Sequence, residues 1–190
     1  MIMLILKEDA SKHSVMAAGM IGAMVQAVRY QQTEFGGLAA APSGAAHEVD
    51  LDVFMDLSTG LVEWTWERDD LVEGLAVNPA QEGPPQEGVV TIPAGDSDPW
   101  RAVVGGQITS LHAGWQVSES GCPESLWAMR LTIGHSANVV IALGELDAQG
   151  RPTYHPDSIL VLFDEQMARS YKPSGAITSA WGDMGTFGNQ

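Results

Sequence analysis

Carboxylates are the most abundant chemically able side chains here: 24 Asp and Glu stand against 9 Lys and Arg, a formal net charge of −15. Several fall in pairs, at Asp69 and Asp70, Asp96 and Asp98, and Asp164 and Glu165. Two carboxyls divide general acid and general base work only where a cleft drives their pKa values apart. Pairs in turn-like sequence do not establish such a cleft, so catalysis is not assigned to them. The stretch GHSAN, residues 134–138, has the leading glycine and the serine of a nucleophile elbow. Asn138 replaces the second glycine, however, and the following VVIALGEL has a strand pattern where the elbow needs a helix. A hairpin turn is expected there, with Ser136 chemically ordinary. Cys122, the single cysteine, lies in SESGCPES with no neighbour that would lower its pKa. The histidines His13, His47, His112, His135 and His155 share no helical spacing, and DLDVFMD lacks the glycine and late glutamate of a calcium loop. No catalytic residue, metal or cofactor is therefore expected, and a non-enzymatic role is favoured.

The acids are unevenly distributed. Between positions 48 and 98 there are thirteen acidic residues and one basic residue, Arg68. Within that segment HEVDLDVFMDLSTGLVEWTWE alternates with a period of two, placing Val49, Leu51, Val53 and Met55 on one side and Asp50, Asp52 and Asp56 on the other. STG turns the chain, and Glu63, Thr65 and Glu67 then alternate with Trp64 and Trp66. A hairpin over about 49–67 would present Asp50, Asp52, Asp56, Glu63 and Glu67 to solvent, with Asp69, Asp70 and Glu73 extending that surface. A field of this sign repels nucleic acid phosphates and anionic lipid and draws basic proteins in. The leading expectation is a soluble binding protein whose acidic face engages a basic protein partner as inhibitor, neutraliser or cap, with neither nucleic acid nor membrane as partner. Two alternatives stay open: a small-molecule-binding β-barrel, with or without catalysis by shape, and a structural or assembly subunit.

The elements that would carry these residues follow from periodicity. The start MIMLILKEDA has no leading positive charge, and Lys7, Glu8 and Asp9 end its apolar run after six residues. It is expected to be a strand or extended arm, not a signal peptide. With a single cysteine this points to a reducing, cytoplasmic setting. SVMAAGMIGAMVQAV, residues 14–28, carries no charge, but as a helix it spans only about 22 Å against the ~30 Å of a bilayer core. Met16, Met20, Met24 and Val28 recur every four residues beside a small-residue side that includes Gly19 and Gly22. The spacing predicts a helix from about residue 12 to residue 35, capped by Asp9 or Ser11 and stopped by Gly36 and Gly37. Its Met-rich side would pack on a sheet and its small side would approach a second element closely; burial within the one chain is the leading reading, and a homo-oligomer contact or an apolar ligand wall is the alternative.

A linker over 36–47, a β-rich body over 48–172 and a Gly/Ser-rich tail over 173–190 complete one domain, 1–190. Further strands are expected at 71–77, 88–93, 101–105, 107–117, 126–134, 138–146 and 159–164, with a short helix from Asp164. Trp64, Trp66, Trp115 and Trp127 read as core, and Trp100 as a strand-edge residue. The fold class expected is α+β: a long N-terminal helix packed on a twisted antiparallel sheet, barrel-like or a sandwich.

Overall fold

In the computed structural model, residues 4–34, 44–81, 83, 87–182 and 185–186 are described. Strands β1 (Val25–Thr33), β2 (Ala46–Val49), β3 (Asp52–Leu57), β4 (Gly60–Asp69), β5 (Val72–Pro79) and β6 (Val89–Pro93) precede β7 (Ile108–Val117), β8 (Glu124–Ile133) and β9 (Ala137–Leu143). The short strands β10 (Glu145–Leu146) and β11 (Pro152–Thr153) are followed by β12 (Ile159–Leu162) and β13 (Gly185–Thr186). They form a five-stranded sheet ordered β5-β4-β3-β1-β6, a six-stranded sheet ordered β13-β7-β8-β9-β12-β2, and the two-stranded β10-β11. Among the described residues all pairings are antiparallel and no sheet closes into a barrel.

The expected long N-terminal helix does not form, and the fold is mostly β. Helix α1 covers only Ala10–Met20. Ile21 is already extended, and Gly22 sits at φ 89°, a left-handed conformation that suits glycine and ends the helix. Beyond it Gly22 N–H donates to the Ile108 carbonyl and Ile108 N–H to that of Ala23, which turns the chain into strand pairing. β1 then lies between β3 and β6, so both its edges are hydrogen-bonded, and this long-range pairing outweighs a weak local helix preference. The four-residue methionine spacing thus straddles two elements. Met16 and Met20 belong to α1, Met24 makes an isolated bridge to Gln107, and Val28 is a buried strand residue. Residues 101–105 are likewise not a strand. Helix α2 (Asp98–Arg101), which has Pro99 in its first turn and buries Trp100, ends there, and turns follow.

The hairpin forms as β3 and β4, with Asp52 opposite Thr65 and Phe54 opposite Glu63. The alternating segment does not stay in one sheet: β2 pairs with β12 of the six-stranded sheet, and the chain bends at residues 50–51 before entering β3. Between the two large sheets one core gathers Tyr30, Met55, Trp64, Trp100, Trp127 and Leu131, each fully covered. Burial of each such side chain is worth roughly 1.5–3 kcal/mol or more.

An N-terminal arm joins the sheets along one side. Leu4 bridges Ala76 of β5 and Leu6 bridges Ser125 of β8. A Cβ at Gly74 would stand 2.9 Å from both the Leu126 carbonyl oxygen and Leu4 Cδ2, so glycine is required where β5 crosses β8. Helix α3 (Glu165–Ser170) starts at Asp164 as expected, the aspartate side chain accepting from Met167 N–H. The glycine-rich tail is held: Ala176 bridges Gln116, Arg130 donates to the Trp181 carbonyl, and β13 adds to β7. The greater part of the expected linker, residues 36–43, lies outside the described residues. No helix among the described residues is long and apolar enough to cross a membrane.

Candidate functional site

The eight carboxylates expected on one face are divided by the sheet register. Asp52, Asp56 and Glu63 occupy the outer face of the β3–β4 hairpin, because Val53, Met55 and Trp64 turn inward. Asp56 pairs with Arg29 of the neighbouring β1 at 3.3 Å. Asp52 and Glu63 sit diagonally across the two strands and face no such cation in the ion pairs of the described residues. Burial raises the Asp52 pKa, the Thr65 side chain opposing. Burial raises that of Glu63, with repulsion from Asp52 adding to it and the Asn78 amide opposing. That amide leans toward Glu63 from the paired position on β5 without reaching good hydrogen-bond geometry. Two carboxylates held together partly out of water favour a proton or a cation.

Glu67 accepts from Arg68 N–H, and Asp69 and Asp70 are exposed at the β4–β5 turn, prolonging the acid strip. Asp50 has a different setting. Its carboxylate accepts from Thr33 N–H and the Thr33 hydroxyl, its N–H donates to Gln32, and its carbonyl accepts from Trp66 Nε1, fixing the crossover from β2 to β3. Glu73 leaves the strip altogether. At the crossing of β5 and β8 its carboxylate accepts from the Tyr154 hydroxyl, and its carbonyl accepts from Ser125, Gln116 and Ser118. The structure therefore brings together Asp52, Glu63, Glu67, Asp69 and Asp70, with Asp56 neutralised beside them.

The methionine side of the sequence reading also divides. Met16, Met20 and Gly19 line a cleft of about 600 Å³ between α1 and the adjoining ends of β4 and β5, faced by Leu61, Val62, Val77 and Pro79. Met24 and Gly22 lie beyond it, Met24 about half exposed and Gly22 with open space around its α-carbon. Ser136 lies in the β8–β9 turn, and Cys122 is a free thiol, partly exposed, 3.9 Å from the Leu71 carbonyl.

One cluster had no sequence signal. Tyr30, His47 and Trp100 meet between the sheets, all fully buried. Trp100 Nε1 can only donate, so the Tyr30 oxygen accepts from it and directs its own hydrogen to His47 Nδ1, 2.8 Å away. His47 is then neutral with its proton on Nε2, which lacks a partner of good geometry. Burial lowers its pKa to about 4, the Gly44 backbone opposing. Phe163 closes the site edge-on against both His47 and Trp100. This closed cluster offers no approach to a substrate.

Comparison of the chain with family models, curated proteins and solved structures gave no match.

Proposed function

We propose that the chain is a non-catalytic binding protein whose β3–β4 face takes a basic segment of a protein partner. The observation that carries this reading is the Asp52 and Glu63 pair, partly desolvated side by side, in line with Glu67 and the exposed Asp69 and Asp70. A guanidinium or ammonium group set between the pair would favour both charged forms, and the net charge of −15 would steer such a partner in. Nucleic acid and anionic surfaces are disfavoured by the same field.

An arginine-rich peptide serves as the probe, with association rates measured at low and high salt for three proteins. These are the parent, Asp52→Asn with Glu63→Gln, and a control of equal charge change, Asp96→Asn with Asp98→Asn. The face variant is expected to associate about tenfold more slowly at low salt, the gap closing as salt rises. The control should stay within about twofold of the parent. Equal slowing in both variants would mean that only total charge matters and would remove the face from the reading.

A further inference from the structure

The outer face of the six-stranded sheet holds a cation that the chain does not balance. Among the described residues every arginine except Arg130 pairs with a carboxylate. Arg130 stands midway along β8, partly out of water, with Nη1 donating to the Trp181 carbonyl and Cζ 5.1 Å from the centre of the Trp181 ring. Its Nε is covered and has no hydrogen-bond partner, and Nη2 makes no hydrogen bond among the described residues. Burial and the nearby Arg169 push its pKa down, Glu165 opposing. A guanidinium withdrawn from water without an anion beside it is a costly arrangement.

Three polar side chains share its face. His112 of β7 is directly opposite Arg130, and Ser110 and Thr132 form the next pair on the same side, two residues along. All four are partly exposed. Thr132 is occupied by Asn138, but the Ser110 hydroxyl makes no hydrogen bond among the described residues, and His112 Nδ1 is covered without a partner. β7, β8 and β9 hold a single acid, Glu124, which is paired with Lys7, so no unpaired carboxylate on these strands repels an anion. From this juxtaposition we infer that Arg130, His112 and Ser110 form a site for a carboxylate. Its oxygens meet the free edge of the guanidinium, whose planar donors match them, while the Trp181 ring stacks on the guanidinium and the Ser110 hydroxyl and His112 ring flank it. The site lies on the other large sheet from the β3–β4 face and does not rest on the reading proposed for that face.

Acetate and a short end-blocked peptide with one glutamate present the same group from two sources, a small free acid and an acidic segment of a protein. Each is titrated at constant ionic strength, with chloride as the balance, while the His112 ring is followed by NMR. A saturable shift is expected, and the His112 pKa should rise as the site fills. Burial and then the Arg130 charge hold that pKa down, and a bound carboxylate offsets the second. Arg130→Gln should weaken binding at least about tenfold, the size of one charge-assisted contact. Because Arg130 also holds the tail at Trp181, Ser110→Ala gives a second reading that leaves that contact intact, and it should weaken binding about threefold. Arg101→Gln, an exposed arginine on α2, should stay within about twofold of the parent. Tighter binding of acetate would support the site and name a free acid as its occupant; tighter binding of the peptide would support it and name a protein segment. No saturable shift with either probe, an equal shift from chloride alone, binding unchanged by both Arg130→Gln and Ser110→Ala, or a His112 pKa that does not rise on saturation would each overturn the inference.

Discussion

The Tyr30–His47–Trp100 cluster and the Asp52–Glu63 pair are both polar groups short of water, yet they solve that problem in opposite ways. The interior cluster is closed by two sheets, α2 and Phe163, and its titratable members stay neutral, so hydrogen bonds among them replace most of the lost hydration. The outer pair lies on a sheet face with one side open, and its two acids retain mutual repulsion that no ion pair among the described residues offsets as Arg29 offsets Asp56. Satisfaction within the chain marks a structural role; an unrelieved charge at an open face marks a place for something else. The comparison can be broken by showing that the interior tolerates loss of a partner, or that the outer pair does not.

The largest effect is expected inside. Tyr30→Phe strands the Trp100 donor and the His47 acceptor together in a site with no water access, and should cost about 2–4 kcal/mol in denaturant unfolding. A loss below about 1 kcal/mol would mean that the cluster does not organise the core.

Acid should expose the same cluster next. The folded-state pKa of His47, about 4, lies below the ordinary histidine value near 6.5, so the unfolded chain binds its proton first as pH falls. The histidine's contribution is complete above about pH 6.5, is lost as pH falls toward 4, and amounts to about 3 kcal/mol at most. In His47→Asn, which keeps an oxygen acceptor for Tyr30, the unfolding free energy should fall less over that window than in the parent. Parallel pH profiles for the two proteins would place the acid sensitivity elsewhere.

The two regions also differ in how far the sequence reveals them. The alternation of Val53, Met55 and Trp64 with Asp52, Asp56 and Glu63 is local, and a turn at Ser58 and Thr59 sets the register, so the acid strip follows from counting in twos. Counting fails where partners are distant. Tyr30 and Trp100 are 70 positions apart and Tyr30 and His47 are 17 apart, with no shared periodicity. The same limit explains the overlong helix: nothing between Ile21 and Thr33 announces that β3 and β6 will flank it, and Gly22 alone marks the change. Glu73 looked like another strip residue because the crossing of β5 over β8, which captures it, has no sequence pattern.

The smallest expected effect has the opposite sign and is the finest test of the comparison. Asp52 and Glu63 have folded-state pKa values raised above their ordinary ones, so above those values their charges oppose folding, and the penalty is relieved as pH falls through the raised values. Asp52→Asn with Glu63→Gln should therefore stabilise the protein slightly at neutral pH. Both side chains keep some contact with solvent, which screens them, so the gain should not exceed about 1 kcal/mol and should shrink with added salt. The gain should also vanish in acid, where the parent pair is protonated and already relieved. A destabilised double variant at neutral pH would show that the pair is held by contacts inside the chain, placing it with the interior cluster and leaving the β3–β4 face without an unrelieved charge to attract a partner.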